Sequence, residues 1–397
     1  MTPSASTEFP PGFLWGVATA AHQIEGGNVN NDWWAWEHDP ASGCADSSGD
    51  ACNSYRLWPR DIELVASMGL GCYRFSLEWS RIEPAEGEFS TAALDHYRRI
   101  CAACHEAGLA PVVTFHHFTT PLWLSARGGW ESPDTPELFG RFVERSVSHL
   151  GDLVSRACTI NEPNVIGVMG YTMGEFPPGV KDDLGRHLAV NEQMVRAHRR
   201  AVDALRSGPG DFPVGLTLSM AELEADEGGE TVRDAAEEIL ENVFLRATEG
   251  DDFVGVQCYT RIHFGPEGQA GDDPSVPSTQ MGYEYWPQAV EYCARRAAAY
   301  TAIPVLVTEN GIATDDDSER IAFVSESLGG VLRCIEDGVD VRGYFVWSLL
   351  DNFEWAHGYG PKFGLVEVDR VTFERRPKPS AEWFAQVARA NALAPAP

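Results

Sequence analysis

Two glutamates in this chain each follow a run of apolar residues, which is a costly place for a charge. Glu162 ends the run that starts at Ala157, and Glu309 follows the run Ile303–Val307 after one threonine. A carboxylate buried without a partner costs several kcal/mol, so each position indicates either a partner or a chemical role. Two carboxyl groups that face each other across a pocket can cleave a glycosidic bond, one as a general acid and base and the other as a nucleophile.

Other apolar runs also end in polar residues, and these endings suggest that the two glutamates are part of a larger site. The residues concerned are Gln23, Glu25, Arg74, His116, His117, Asn161, Gln257, Tyr259 and Asn310. A core explains them poorly, because each would need a buried partner. We therefore expect the runs to end at one common rim.

The elements that position these residues alternate between strand-like and helix-like segments. The predicted strands are Phe13–Ile24, Cys72–Trp79, Pro111–His117, Ala157–Glu162, Val214–Met220, Phe253–Tyr259, Pro304–Glu309 and Tyr344–Leu350. The clearest predicted helices, Asn53–Met68, Thr91–Ala107 and Pro136–Leu150, end at Gly69, Gly108 and Gly151. Asp134 and Glu137 resemble a capping box. Near-continuous apolar strands that alternate with helices predict a parallel sheet covered on both faces.

The economical architecture is α/β: a single (β/α)8 TIM barrel over residues 1–397, with its active site at the C-terminal ends of the strands. A hydrophobic content of 44% supplies a large core for one such domain. The net charge of −29 disfavours nucleic acid and anionic membrane surfaces as partners. The same acidity fits a solubility device or adaptation to a salty or acidic medium.

The N-terminus, the cysteines and the histidine spacing bear on the location of the protein and on whether it binds a cofactor or a metal. Its N-terminus lacks the order of a signal peptide and no stretch resembles a membrane span, so a cytoplasmic protein is expected. The nine cysteines are scattered, and Cys101 and Cys104 lie within a helical pattern, which favours structural thiols over a redox pair. With no HxH or HExxH pattern, neither a metal nor a cofactor is predicted.

The motifs TINEP, which contains Glu162, and VTENG, which contains Glu309, resemble those of glycoside hydrolase family 1, the β-glucosidase and β-galactosidase group. The resemblance extends to FLWGVATAAHQIEG, YRFSLEWSRI and GYFVWSLLDNFEWAHGYGPKFGLVEVD, and so spans nearly the whole chain. It implies a retaining exo-acting β-glycosidase, most simply a β-glucosidase, that acts on small β-glycosides. The resemblance also implies that Glu309 is the nucleophile and Glu162 the general acid and base.

The same resemblance implies roles for further residues. Arg74 and Tyr259 would support the nucleophile, and Asn161 would hold the sugar 2-hydroxyl. The expected substrate-binding residues are Gln23, His117, Gln257, Trp347, Glu354, Trp355 and Phe363. His116, adjacent to His117 on a predicted strand, should point the opposite way, which argues against a two-histidine metal site.

Four positions depart from the usual family pattern: Phe118, Gln257, Cys258 and Lys362. The segment Thr248–Asp252, before the sixth predicted strand, is also shorter than in relatives. We interpret Gln257, Cys258 and this short segment as widening the leaving-group side, which predicts tolerance of bulky aryl or terpenoid aglycones. The alternative is that neighbouring side chains fill the space.

The sequence also bears on three other functions. A transglycosylase would use the same carboxyl pair and is not separable from a hydrolase by sequence. A non-catalytic sugar-binding relative would be expected to have lost Glu162 or Glu309. Both are present, which argues against it, although the departures at Phe118, Gln257 and Cys258 keep it open. A 6-phosphoglycosidase is disfavoured, because the carboxylate of Glu354 would face the phosphate. The sequence also leaves open the preference among glucose, galactose and fucose, the natural aglycone and the oligomeric state.

Overall fold

The computed structural model describes residues 7–393, and its centre is a closed barrel of eight parallel strands. The barrel strands are β1 Leu14–Ala18, β2 Cys72–Ser76, β3 Ala110–Thr114, β4 Arg156–Asn161, β5 Val214–Ala225, β6 Phe253–Gly265, β7 Val305–Asn310 and β8 Val341–Trp347. Each strand pairs with its neighbours in the chain, and β1 closes the ring by pairing with β8. The predicted (β/α)8 fold is confirmed.

Helices follow the strands and cover the outside of the barrel. The α-helices are Ala21–Ile24, Asp32–Glu37, Ser54–Ser67, Trp79–Ile82, Thr91–Glu106, Leu122–Ser125, Thr135–Leu150, Pro163–Gly167, Leu184–Ser207, Glu230–Glu237, Val243–Ala247, Ala289–Thr301, Asp317–Glu336 and Pro379–Ala390. Two π-helical turns, Val168–Thr172 and Glu238–Asn242, continue the helices that precede them. Short 3₁₀ turns span Gly129–Glu131, Gly151–Leu153 and Trp355–His357, and a small antiparallel pair joins Val366–Val368 to Arg375–Pro377.

The barrel interior is filled at its lower end by apolar side chains. Six buried residues from six different strands form one cluster there: Cys72, Val112, Cys158, Phe253, Leu306 and Phe345. Gly16 on β1 makes room for this layer, since a Cβ on it would meet the Phe345 ring at 2.5 Å. The barrel is therefore a packed core rather than a channel.

Strands β5 and β6 run further than the sequence predicts. The predicted ends were Met220 and Tyr259, but the two strands stay paired as far as Ala225 and Phe264. A two-residue strand, Gly268–Gln269, adds to the free edge of β6. The extension stands above the barrel rim, where its buried side chains pack in a separate small cluster around Leu223 and Phe264.

Other predicted boundaries also need correction. The first predicted strand was too long, because β1 ends at Ala18 and residues Ala21–Ile24 form a helical turn that carries Gln23. A short apolar run does not by itself separate strand from helix. The predicted capping box is wrong: the Asp134 side chain makes no cap and instead accepts a hydrogen bond from Arg127 at 3.2 Å. Gly151 has φ −62° and begins a 3₁₀ turn, whereas Gly69 and Gly108 have the positive φ typical of a helix end.

Cys101 and Cys104 are fully buried in helix Thr91–Glu106, and both thiols are free. Burial raises the pKa of Cys104 to about 12 and that of Cys101 further still. Neither thiol is in the exposed, electropositive environment of a redox cysteine. Between residues 7 and 393, no helix combines the length and apolarity needed to cross a bilayer. Over the same range, no three His, Cys, Asp or Glu side chains are grouped so as to hold a metal ion.

Candidate active site

A pocket of about 240 Å³ opens at the C-terminal ends of the barrel strands. Nine of the twelve residues predicted for the site line it: Gln23, His117, Glu162, Tyr259, Glu309, Trp347, Glu354, Trp355 and Phe363. The other three, Arg74, Asn161 and Gln257, are fully buried and are not among the residues that line it. They act on the pocket through hydrogen bonds.

Glu162 lies where β4 turns into the helix Pro163–Gly167. Its φ of 44° places a non-glycine residue in the left-handed region. Phe118 at φ 68° and Trp355 at φ 48° share this conformation, and both line the same pocket. Such residues are strained and persist where the surrounding structure holds them, which is common at functional sites. Glu162 has this conformation, and its side chain lines the pocket.

Glu309, near the end of β7, is held by two donors. Arg74 donates from Nη1 to Oε1 of Glu309, and the Tyr259 hydroxyl donates to Oε2 at 2.7 Å. Glu309 as a whole residue is only 3% exposed, so these charge-assisted hydrogen bonds are shielded from water. One oxygen of Glu309 is thus matched to a cation and the other to a phenol.

Asn161 links Arg74 and Gln257 to His117 in the pocket wall. Its Oδ1 accepts from Arg74 Nη2 at 2.6 Å and from Gln257 Nε2 at 3.0 Å, which fixes the orientation of the amide. Asn161 Nδ2 then donates to Nε2 of His117 at 3.2 Å. Because His117 Nε2 accepts, the ring carries its proton on Nδ1. Burial and the charge of Arg74 lower the pKa of His117 well below its ordinary value, so the ring is neutral.

The two carboxyl groups have different electrostatic environments. Burial raises the pKa of both, but at Glu309 the charge of Arg74 and the hydrogen bonds from Tyr259 and Arg74 oppose it. At Glu162 the charge of Glu309 adds to burial and Glu354 raises the pKa further, so that it lies well above the ordinary range. The arrangement favours an ionised Glu309 beside a protonated Glu162. That division is the one a double displacement at an acetal carbon requires.

The far side of the pocket combines a carboxyl group with a fixed amide. Gln23 Nε2 donates to Phe353 O at 2.9 Å and lies 3.3 Å from Glu354 Oε2, while Gln23 Oε1 is buried without a protein partner. Burial, and next the charge of Glu309, raise the pKa of Glu354 to about 8. These groups offer both donors and acceptors to a ring edge that bears hydroxyls.

Aromatic rings form the rest of the wall. The His117 ring stacks within 6.0 Å of both Trp347 and Trp355, at interplanar angles of 19° and 15°. Phe363 packs edge-on against Tyr259 at 5.8 Å. Flat apolar faces beside polar groups suit a pyranose, which has C–H faces and a hydroxyl edge.

Several polar strand ends do not reach the pocket. Glu25 pairs with Arg81 and accepts from Tyr97, so it is part of a separate buried network. His116 packs against Trp130 outside the barrel, opposite to His117 as predicted. Asn310 donates to Cys258 O and accepts from Tyr344. The expectation that every such residue meets at one site was therefore too broad.

Sequence reasoning missed part of the lining. The additional residues are Val165, Met169, Phe176, Ser219, Met281, Tyr283 and His357, together with Phe118, which was singled out only as a departure. Met281 and Tyr283 lie in the irregular segment after β6 and had no periodic signal. Val165 and Met169 directly follow Glu162 and could have been found from their positions one and two helical turns beyond it.

The interpretation that three departures open the leaving-group side is wrong. Cys258 is fully buried, with its sulfur 3.4 Å from that of Cys293 in helix Ala289–Thr301, and it does not line the pocket. The segment Thr248–Asp252 lies at the opposite end of the barrel, where Asp252 bonds the first residue of β5, Val214. Segments that precede a strand meet at the N-terminal face, away from the site. Gln257 supports Asn161 from below, and Lys362 donates to Tyr359 O.

Comparison with known proteins gives one consistent result. The family model described as Glycosyl hydrolase family 1 matches residues 5–255 and 255–393. Beta-glucosidase A of Thermotoga maritima is 33% identical over 97% of this chain and 99% of its own length. A beta-glucosidase of Agrobacterium is 31% identical, with 96% of each chain covered. The solved beta-glycosidase from Pyrococcus horikoshii superposes with a TM-score of 0.92 at 36% identity, covering 98% of this chain and 97% of the other.

Proposed function

Because this chain belongs to glycosyl hydrolase family 1, we propose that it is an exo-acting β-glucosidase in which Glu309 is the nucleophile and Glu162 the general acid and base. Retention of configuration and β-glycoside cleavage are properties of the family. The observation that carries the assignment of roles is the unequal support of the two carboxyl groups: Glu309 receives Arg74 and Tyr259, whereas Glu162 has a like charge nearby.

In the first step, a carboxylate oxygen of Glu309 attacks the anomeric carbon as the bond to the leaving-group oxygen breaks. Glu162 gives its proton to that oxygen, so the aglycone leaves as a neutral alcohol. Arg74 and Tyr259 keep Glu309 ionised until it reacts, and Arg74 also holds Asn161 in register. The product is a glycosyl ester of Glu309.

The second step uses the same residues in exchanged roles. Once Glu309 is esterified, its negative charge no longer raises the pKa of Glu162, so that carboxyl loses its proton more readily. Ionised Glu162 takes a proton from water, which attacks the anomeric carbon and releases Glu309. Two inversions give net retention. An alcohol in place of water would give transfer by the same route.

The substrate proposal is tested with 4-nitrophenyl β-glycosides and by NMR of the first product. We expect the β-glucoside to be cleaved, with the β-anomer of the free sugar appearing before mutarotation. Initial release of the α-anomer would contradict the mechanism. A galactoside or fucoside preferred by more than tenfold would contradict the choice of glucose but not the family.

Glu354 is proposed to bind hydroxyls at the far edge of the sugar, with Gln23 sharing them. We expect Glu354→Ala to lower kcat/KM by roughly 10- to 100-fold, the worth of two hydrogen bonds of about 1 kcal/mol or slightly more each. Part of the loss should fall on kcat, because remote contacts also stabilise the transition state. Glu367→Ala, which removes an exposed carboxyl on the strand Val366–Val368, is the matched control. An effect on KM alone would contradict the proposal.

The pH dependence follows from the two pKa directions. Activity should fall at low pH as Glu309 becomes protonated, because a neutral carboxyl is a poor nucleophile. It should fall at high pH as Glu162 loses its proton, and this limb should lie well above the ordinary glutamate range. Measured as kcat/KM on phenyl β-glucoside, whose leaving group needs a proton from the general acid, the basic limb should disappear in Glu162→Gln.

Glu354 provides the control for that profile, because its pKa of about 8 lies in the same range. In Glu354→Gln the basic limb should persist with reduced overall activity. If the limb instead vanishes in Glu354→Gln and survives in Glu162→Gln, the acid has been assigned to the wrong residue.

We also propose a cytoplasmic location, a single catalytic domain and no nucleic-acid partner. A cytoplasmic location is supported by nine free cysteines, eight of them buried. One catalytic domain over the whole chain is supported by a family match that runs from residue 5 to residue 393. The high negative charge supports the absence of nucleic-acid partners.

A further inference from the structure

A second cavity, of about 370 Å³, lies directly beside the catalytic pocket and is lined mostly by apolar side chains. The two cavities share Val165, Met169 and Ser219 as a common wall. We refer to the second cavity as the side groove. Its volume is within the range of small-molecule binding sites.

Three structural elements enclose the side groove. One wall is the helix and π turn that follow Glu162, Pro163–Gly167 and Val168–Thr172. The second is the extension of β5 and β6 above the barrel, which contributes Leu223 and Phe264. The third is the segment that includes the π turn Glu238–Asn242. Both π turns of the described chain thus border this one groove, and such turns are frequent at functional sites.

Charge is nearly absent from the lining. Of the described residues that line the groove, Glu241 alone is an acid, and it pairs with Arg296 and accepts from Ala221 N at 3.2 Å. Burial lowers the pKa of His187, which keeps that ring neutral. The catalytic pocket, in contrast, contains Glu162, Glu309 and Glu354. The groove therefore suits an apolar group rather than a second sugar.

The apolar surface continues to the outside of the protein. Leu184, 52% exposed, is on the rim of the groove, and Leu188, 40% exposed, is one turn further along the same helix. Met173, 47% exposed, directly follows the π turn of the first wall. Exposed apolar side chains that form one group mark binding surfaces, whereas exposed apolar residues scattered singly are normal.

The position of the side groove relative to Glu162 indicates which part of a substrate would reach it. In the proposed mechanism Glu162 must contact the leaving-group oxygen, so the aglycone departs on the Glu162 side. Val165 and Met169, the shared wall, are the residues one and two turns beyond Glu162 on its own helical segment. Because both cavities are lined by Val165 and Met169, an aglycone that extends along these residues lies next to the side groove.

We propose that the side groove binds the aglycone of an alkyl-type β-glucoside and makes the enzyme selective for long apolar aglycones. The inference rests on the proposed function and extends it from the sugar to the leaving group. Neither Cys258 nor the segment Thr248–Asp252 lines the side groove.

The test is the ratio of kcat/KM for decyl to ethyl β-glucoside, with each substrate kept below its critical micelle concentration. Alkanols of this series have nearly equal leaving-group pKa values, so the ratio reports binding of the chain. Each fully buried methylene is worth about fourfold, and we expect roughly a tenfold or larger ratio because burial is partial. A ratio near one would overturn the proposal.

Two variants locate the effect. Ala236→Phe, which fills the groove, and Leu184→Gln, which makes its rim polar, should both reduce the ratio towards one. Leu122→Gln is the matched control, because Leu122 is also an exposed leucine at a helix start but lines neither cavity. Leu184 is on the surface, so its replacement tests the proposal even if Ala236→Phe fails to fold.

Failure of this inference is distinguishable from failure of the proposed function. If 4-nitrophenyl β-glucoside is not hydrolysed by the wild-type enzyme, the proposed function is wrong. If it is hydrolysed and the decyl-to-ethyl ratio survives in Leu184→Gln and in folded Ala236→Phe, the side groove is not the aglycone site.

Discussion

Replacing Glu309 with Ala is expected to lower kcat roughly 10⁴-fold or more, because the proposed covalent intermediate forms on its carboxylate. Arg74 and Tyr259 both direct their donors at this carboxylate, so its removal leaves a cavity lined by donors beside the anomeric carbon. The measurement is the steady-state hydrolysis of an activated aryl β-glucoside. Thermal unfolding of the variant shows whether the loss is one of chemistry or of folding.

A small anion distinguishes the nucleophile from any other essential residue. Azide can occupy the space left by the Glu309 carboxylate and attack the anomeric carbon from that face. One inversion then gives the α-glycosyl azide. Glu309→Gln, which keeps the shape of the side chain and leaves no room for azide, is the matched control and should not be rescued. A β-glycosyl azide from Glu309→Ala would contradict the assignment.

Replacing Glu162 with Ala should give a loss that depends on the leaving group. For a dinitrophenyl glucoside, which needs little acid assistance, the first step should remain fast and the intermediate should accumulate. For an alkyl glucoside, both steps lose their proton transfer, which is typically worth 10²- to 10⁴-fold. Comparison of the two substrates by kcat/KM measures the acid role separately from binding.

Azide should rescue the second step of the Glu162→Ala enzyme. It attacks the glycosyl ester of Glu309 without needing a general base, from the face that water would use, and so gives the β-glycosyl azide. The two alanine variants should therefore yield azides of opposite configuration from one substrate. If the loss in Glu162→Ala is the same for both leaving groups, or the azide product is absent, Glu162 does not have this role.

Most of the fold was predictable because its signals are local. A run such as Ile303–Val307 is apolar enough for a doubly covered strand, and the helix Thr91–Glu106 shows its period in the chain itself. The errors are at boundaries and connections. The turn at Ala21–Ile24 and the extension of β5 to Ala225 depend on hydrogen bonds to residues far away in sequence, which local patterns do not contain.

The prediction of the site followed the same division. Residues within recognisable motifs, such as Glu162 and Trp355, were placed in the pocket, and the structure brings them together there. Met281 and Tyr283 were missed, because they lie in an irregular segment and are near the other pocket residues only in space. Cys258 was misplaced for the opposite reason: its neighbour Tyr259 reaches the pocket, but its own side chain faces the outer helices.

By itself, the sequence determined the family and the order of strands and helices, and it singled out the two carboxyl groups proposed for catalysis, because each is encoded in a short stretch of residues. Only the tertiary structure decided how those groups differ. Arg74 and Tyr259 come from two other strands to oppose the effect of burial at Glu309, while Glu162 has like charges nearby. The side groove also depends on the tertiary structure, since its walls come from three distant parts of the chain. Electrostatic interactions and cavity shape depend on distances in space, and the fold alone sets those distances.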